Sequence, residues 1–157
     1  MRFIQKEGLI MKNIFATILL FSVVSFNAYG AQIEGFNKRC IAPNWQSGKP
    51  EVVPELNVYG QAAQSVFAFT KRTPGGHWRI EWNIDRIEYY KIPSDVLIFL
   101  YYHECAHATY NNESEVVADC EALSAMDADG YLDEQTYNNI AATYNYFGRS
   151  FPSGRCE

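Results

Sequence analysis

Hydrophobic and polar positions after residue 94 recur with the period of an α-helix. The pattern predicts three helices, over residues 95–110, 113–126 and 134–147. Ser94 follows a proline and is the predicted N-cap of the first helix, and Asn111 marks the end of that helix. Gly130 follows the second helix and is the predicted break before the third.

β-branched and aromatic residues are concentrated earlier in the chain, between residues 58 and 90. Residues 66–70 and 78–84 are predicted strands, and the Thr73-Pro74-Gly75-Gly76 stretch between them predicts a hairpin turn. Residues 31–57 are polar and rich in turn-forming residues, so we expect an irregular segment there. The predicted fold class is therefore α+β: a short sheet or hairpin packed on the first helix, followed by two further helices.

The first thirty residues are typical of a signal peptide. Lys12 provides a positive charge, an apolar run covers residues 14–26, and Ala28-Tyr29-Gly30 resembles a cleavage site. Residues 1–10 carry their own methionine and form a candidate extra start segment. We therefore expect residues 31–157 to form a single exported domain, periplasmic or secreted, with no membrane association after cleavage.

Composition narrows the class of protein further. The chain has 157 residues, of which 48% are hydrophobic and 15% aromatic, which favours a folded core over disorder. The formal net charge is −5, whereas nucleic-acid-binding proteins are commonly basic. Nucleic acid is therefore not an expected partner.

The four cysteines, Cys40, Cys105, Cys120 and Cys156, all follow the predicted cleavage site. An even number of cysteines in a small exported domain predicts two disulfide bonds. Four cysteines allow three pairings, and their positions in the sequence do not choose among them.

The sequence His103-Glu104-Cys105-Ala106-His107 carries the clearest chemistry. Residues i and i+4 lie about 40° apart around a helix, so the two histidines can bind one metal ion. Glu104 lies about 100° from His103 and flanks that ion, where a general base would take a proton from a metal-bound water. Cys105 lies about 200° from His103, on the opposite face, and is excluded as a shared ligand.

A catalytic zinc site needs a third protein ligand. The candidates downstream are Glu113, Glu115, Asp119 and Cys120, of which Glu115 is favoured and Glu113 is the alternative. Glu115 and Asp119 share a helix face, so Glu115 can bind the metal while Asp119 accepts a hydrogen bond from a histidine ligand. In a competing interpretation, Glu115 belongs to a capping box that begins at Asn112.

HECAH followed by Glu115-Val116-Val117-Ala118-Asp119 resembles the gluzincin zinc metallopeptidases, which carry HExxH on one helix and ExxAD on the next. The resemblance covers about residues 94–126. It implies a zincin-like fold and one Zn²⁺ per chain, with His103, His107 and Glu115 as ligands. It further implies that Glu104 is the base and that Asp119 supports a ligand.

Small secreted domains of this type, with cysteines next to both motifs, imply a bond between Cys105 and Cys120. Both cysteines lie on adjacent predicted helices and point away from the predicted metal face. Cys40 would then pair with Cys156 and join the two ends of the domain.

The predicted function is zinc-dependent hydrolysis of a peptide or protein substrate, with Glu104 activating the water. Two alternatives remain: a non-catalytic binding or inhibitor module that zinc staples together, and a disulfide-stapled structural protein without metal. The strand over residues 78–84 is either an edge that binds an extended peptide or a core strand. Four residues are open candidates for stabilising a transition state: Tyr110, Tyr131, Tyr144 and Arg155.

Overall fold

A long central helix separates the sheets of this protein from its C-terminal helices. The computed structural model describes Ile33, residues 35–60, residues 65–151 and Cys156, and the predicted signal peptide lies outside these residues. Within them the fold is α+β, with sheets of two and three strands and four α-helices. The predicted fold class is confirmed.

The strands form two small sheets. In the first, β1 (Ile41–Pro43) pairs antiparallel with β2 (Pro50–Val52). The second contains β3 (Glu55–Val58), β4 (Ala68–Arg72) and β5 (Trp78–Asn83), in the order β3-β5-β4. Strand β5 is central, parallel to β3 and antiparallel to β4, and no strand among the described residues pairs with the other edge of β4.

The predicted hairpin is present as β4 and β5, joined through a short 3₁₀ turn at Pro74–Gly76. The prediction of an irregular segment over residues 31–57 is wrong, because β1, β2 and most of β3 lie there. These strands have only three or four residues, too few to show the alternation of a strand, and β3 pairs with β5, which is distant in sequence.

The helices are α1 (Ile84–Tyr90), α2 (Ser94–Tyr110), α3 (Glu115–Ala128) and α4 (Glu134–Tyr146). The three predicted helices correspond to α2, α3 and α4, with ends shifted by at most two residues. Helix α1 was not predicted. The predicted strand extended to residue 84, whereas in the structure Asn83 ends β5 and caps the first turn of this seven-residue helix.

The N-caps of two helices differ from those that the sequence suggested. Pro93, with its extended backbone, occupies the N-cap of α2, and Ser94 is already helical. Ser114 caps α3 by accepting a hydrogen bond from the Val117 N–H, so the capping box between Asn112 and Glu115 does not form. The side chain of Glu115 is therefore not used in capping.

Helix α2 is buried on two sides, since a hydrophobic core lies on each. Leu97 and Tyr101 belong to the core shared with the sheets, where Trp82 is fully buried. Val96 and Phe99 belong to the core shared with α3 and α4. A helix enclosed in this way has little polar surface, so His103 and Glu104 near its C-terminal end are buried as well.

The disulfide bonds are Cys40–Cys105 and Cys120–Cys156, so the predicted Cys105–Cys120 and Cys40–Cys156 pairs are wrong. Helix α2 meets α3 through the face that carries His103, and Cys105 lies on the opposite face, next to β1. It therefore bonds to Cys40, the residue that precedes β1. Cys120 is left to join α3 to the C-terminal segment.

No helix among the described residues is long and apolar enough to cross a membrane. Two disulfides are compatible with an exported protein, because such bonds persist in oxidising compartments.

Replacing Cys40 and Cys105 together by alanine should lower the free energy of unfolding by about 4 kcal/mol, because their bond closes a 65-residue sequence separation. Urea unfolding under non-reducing conditions measures the change.

Peptide mapping without reduction should yield Cys40–Cys105 and Cys120–Cys156 peptides, and a peptide joining Cys105 to Cys120 would contradict this connectivity.

Candidate metal centre

Three side chains of metal-binding type meet between α2 and α3. His103 and His107 come from α2, and Glu115 is the first residue of α3. One donor atom of each lies within 4.8 Å of the others. The two Nε2 atoms are 3.1 Å apart, and each lies 3.6 Å from an oxygen of the Glu115 carboxylate. The structure thus brings together the three residues predicted from the sequence as a group that could hold a metal ion.

A short turn places Glu115 opposite the histidines. Asn111 ends α2 in the left-handed conformation (φ 49°), which asparagine adopts more readily than most residues. The Asn112 side chain then accepts a hydrogen bond from the Ser114 N–H, and Ser114 caps α3. The chain reverses within these few residues, so the first turn of α3 lies beside the last turns of α2.

The second ring nitrogen of each histidine is bound to an acceptor. His103 Nδ1 is 2.7 Å from Asp119 Oδ1, and His107 Nδ1 is 2.6 Å from the backbone oxygen of Asn112. Because a carbonyl oxygen and a carboxylate only accept, both Nδ1 atoms carry the hydrogen. In the neutral rings both Nε2 lone pairs then face each other and Glu115, and they cannot hydrogen-bond to one another. A cation satisfies all three groups, and two imidazoles with one carboxylate are a donor set typical of catalytic zinc.

The carboxylates around His103 control its protonation. Burial lowers the pKa of His103, but the hydrogen bonds to Asp119 and Glu115 and the charge of Glu104 outweigh this effect and raise it to about 9. The hydrogen bond with His103 in turn lowers the pKa of Glu115 despite partial burial. The same carboxylates that raise the pKa of His103 therefore favour a positive charge at this position.

Glu104 is buried beside this group and does not belong to it. The Thr70 hydroxyl, on β4, lies 2.9 Å from Glu104 Oε2 and 2.6 Å from the backbone oxygen of Glu104. Burial raises the pKa of Glu104, although the charge of His103 and the Thr70 hydrogen bond oppose the rise. A carboxylate with a raised pKa is a stronger base than one in water, as proton transfer from a water molecule requires.

Tyr144, on α4, connects a third helix to the site through its hydrogen bond with Asp119. Its hydroxyl donates to Asp119 Oδ1 at 2.7 Å, the same oxygen that accepts from His103 Nδ1. Asp119 is buried, and these two hydrogen bonds fix its carboxylate between α2, α3 and α4. Of the three described candidates for stabilising a transition state, Tyr144 is the one beside the metal-binding group. Its hydroxyl hydrogen is already used in the hydrogen bond to Asp119. Arg155 lies outside the described residues.

Sequence reasoning named Asp119 as a partner of a histidine ligand, but it missed two other supporting groups. Thr70 is distant from Glu104 in sequence, and no pattern around it indicates a catalytic partner. The backbone of Asn112 binds His107, a contact that depends on the turn geometry rather than on the residue type. Glu113, the alternative ligand, is exposed and lies 3.5 Å from Arg72 instead of facing the histidines.

A cleft of about 440 Å³ opens in front of His103, Glu104 and His107. Residues 65–72, which include β4, line one wall, and the end of α4 with Arg149 lines another. The strand over residues 78–84, considered as a peptide-binding edge, is instead the central strand β5. The edge strands are β3 and β4, and β4 is the one that lines the cleft.

Comparisons with known protein families, with curated proteins and with solved structures found no match for this chain. The resemblance to gluzincins rests on the two motifs, whose residues lie on adjacent helices around one group of metal-binding type.

We expect the purified chain to bind one zinc ion. His103→Ala or His107→Ala should abolish binding, Glu115→Ala should weaken it strongly, and Asp119→Ala should weaken it by ~10–100-fold, the usual effect of losing a partner of a ligand. Elemental analysis and competition with a chelator measure both occupancy and affinity.

Glu113→Ala is the matched control, since Glu113 also lines the cleft but lies away from the histidines, and it should leave zinc affinity unchanged. Full occupancy in Glu115→Ala together with loss in Glu113→Ala would transfer the ligand role to Glu113.

Zinc binding near neutral pH should release a proton, because the pKa of His103 is about 9 and its Nε2 must be unprotonated to bind metal. Apparent affinity should therefore rise with pH, by ~tenfold per unit, and level off above that pKa. Calorimetry in buffers of different ionisation enthalpy counts the protons. Asp119→Asn should reduce the release, since the Asp119 hydrogen bond helps to raise this pKa. A proton count near zero at neutral pH, or one that does not fall as the pH is raised through about 9, would contradict the assignment.

Proposed function

We propose that this protein is a zinc-dependent peptidase of gluzincin type. The observation that carries the proposal is the arrangement of four side chains along one cleft. His103, His107 and Glu115 form a group that could hold a metal ion, and Glu104, buried and outside that group, lies next to it. Three ligands plus a separate carboxylate base are the parts that metal-assisted hydrolysis requires.

The nitrogen and carboxylate donors favour zinc over calcium or magnesium, which prefer oxygen ligands. Zinc, when bound, supplies a Lewis acid that polarises a carbonyl group and lowers the pKa of a bound water towards ~7. Asp119 and the backbone of Asn112 keep the two histidine rings oriented towards such an ion.

Glu104 is assigned the proton transfers. Its buried carboxylate takes a proton from the attacking water and later delivers it to the nitrogen of the departing amine. Thr70 holds Oε2 in place, and burial keeps the carboxylate basic. The carboxylate therefore begins and ends the reaction in the same protonation state.

The open edge of β4 suits an extended peptide. The Asn83 N–H donates to Phe67 O and the Thr73 N–H donates to His77 O, so alternate residues of this strand are bonded to β5. In this register the backbone groups of Ala68, Thr70 and Arg72 are directed to the outer edge, along the cleft. A substrate added there as a strand would be held by its backbone, beside Glu104.

A non-catalytic role has one observation in its favour. The three residues that could hold a metal ion belong to α2 and α3, and the Glu115 side chain is 62% exposed. An ion bridging the two helices would stabilise their packing even without chemistry.

The proposed location is the periplasm or the exterior, because the two disulfides accompany a sequence typical of a signal peptide.

Glu104→Gln separates catalysis from binding. The variant should keep zinc and stability, because the amide has nearly the same shape and Glu104 is not a ligand. Turnover of quenched peptides or casein should fall by at least ~10²-fold, and by up to ~10⁴-fold, the contribution of a general base. A chelator should abolish the wild-type activity.

Glu113→Gln provides the matched control, a second glutamate of the same cleft, and it should retain both zinc and activity. If wild type and Glu104→Gln both bind zinc but neither cleaves any member of a broad peptide panel, the peptidase proposal is wrong. The zinc-stapled binding module would then replace it.

A further inference from the structure

The end of α4 directs the chain back towards the metal centre. Gly148 is in the left-handed conformation (φ 67°), its N–H donates to Asn145 O, and the Arg149 N–H donates to Tyr144 O. These two bonds form a Schellman motif, which reverses the chain after a helix. Arg149, the first residue after the reversal, thereby reaches Glu115, with Nη1 3.9 Å from Oε2.

The segment around Arg149 is held on both sides. Phe147 packs against the rings of Phe67 and Tyr90, each with its centroid 4.9 Å away. Phe151 packs against Tyr144 at 5.2 Å, and Cys156 is bonded to Cys120 of α3. The guanidinium is therefore presented to the cleft from an anchored backbone.

Three other side-chain donors of the cleft, among the residues that the structure describes, are already engaged. The Thr70 hydroxyl donates to Glu104, and the Tyr144 hydroxyl donates to Asp119. Arg72, on the opposite wall, donates to Asn111 at 2.8 Å, lies 3.5 Å from Glu113 and stacks over Trp78.

Arg149 differs from these groups. Its ion pair with Glu115 is long, and its side chain is 54% exposed, so the contact is weak. A guanidinium has five N–H donors, and the Glu115 contact leaves most of them open to the cleft.

We propose that Arg149 binds the carbonyl oxygen of the scissile peptide bond and stabilises the negative charge that develops on it. The inference rests on the proposed peptidase function and names a catalytic residue for it. Donors aimed at a developing oxyanion contribute most when their position is restricted before the reaction, and the anchored segment restricts the backbone from which Arg149 reaches the cleft.

The proton and electron balance of the step is simple. The water oxygen forms a bond to the carbonyl carbon while Glu104 takes the water proton, and the carbonyl π pair moves to the oxygen that Arg149 faces. When that pair returns, the carbon–nitrogen bond breaks and Glu104 gives its proton to the amine. Arg149 donates hydrogen bonds throughout and transfers no proton.

The test compares Arg149→Ala and Arg149→Lys with Arg39→Ala, the control at an exposed arginine that does not line the cleft. The first readout is equilibrium binding of a phosphinate peptide, which carries a tetrahedral anion in place of the scissile bond, to the zinc-loaded proteins. The second is kcat and KM for a cleaved peptide. Zinc content is measured for every variant.

Arg149→Ala should lower phosphinate affinity and kcat by a similar factor, ~10²–10³-fold, while KM and zinc content change little. Arg149→Lys should recover part of the loss because it restores the charge without the planar donor group. Arg39→Ala should behave like wild type in all three measurements.

Equal phosphinate affinity in wild type and Arg149→Ala would overturn the inference, and so would loss of zinc from Arg149→Ala, which would make Arg149 a support for Glu115. A loss confined to ligands with a free C-terminal carboxylate would also overturn it. If zinc-loaded wild type cleaves no peptide, the peptidase proposal fails by itself, and phosphinate binding still tests Arg149.

Discussion

The buried hydrogen bond between His103 and Asp119 is the contact on which the candidate site depends. It joins α2 to α3, and both residues are only 5% exposed, so water cannot replace either partner. The Tyr144 hydroxyl donates to the same carboxylate oxygen and thereby connects α4 to α3. Losing Asp119 would leave a buried ring N–H without an acceptor, at a cost of about 1–3 kcal/mol. Helix packing and ligand orientation are therefore set by the same contact.

The site brings three carboxylates together around two histidines, and two of them, Glu104 and Asp119, are buried. Glu104, Glu115 and Asp119 surround two imidazoles, and burying carboxylates is unfavourable unless they are paired. One response is visible in the pKa values, since His103 takes up a proton and Glu104 becomes more basic. A divalent cation satisfies the same charges better, because it also pairs with both Nε2 lone pairs. The electrostatics and the ligand chemistry point to the same occupant.

Local sequence signals specify the helices of this small fold, whereas strand pairing and a disulfide bond stabilise its short strands. Helices α2, α3 and α4 were predictable, because periodic apolar positions and residues such as Asn111 and Gly130 determine helices locally. The short strands were not, since β1 and β2 are stabilised by pairing and by the Cys40–Cys105 bond rather than by their own composition. The disulfide pairing depends on which segments pack against the faces of α2 and α3 that carry the cysteines, and sequence spacing does not specify those segments.

The sequence by itself determined the part of the site that follows from helical geometry. His103 and His107 share a face because they are four residues apart, and the short gap to Glu115 returns the chain within reach of both. Tertiary structure alone decided the groups that come from elsewhere, among them Thr70 beside Glu104 and Arg149 beside Glu115. The physical reason is that helical spacing fixes angles within one element, whereas contacts between elements depend on how their buried faces pack.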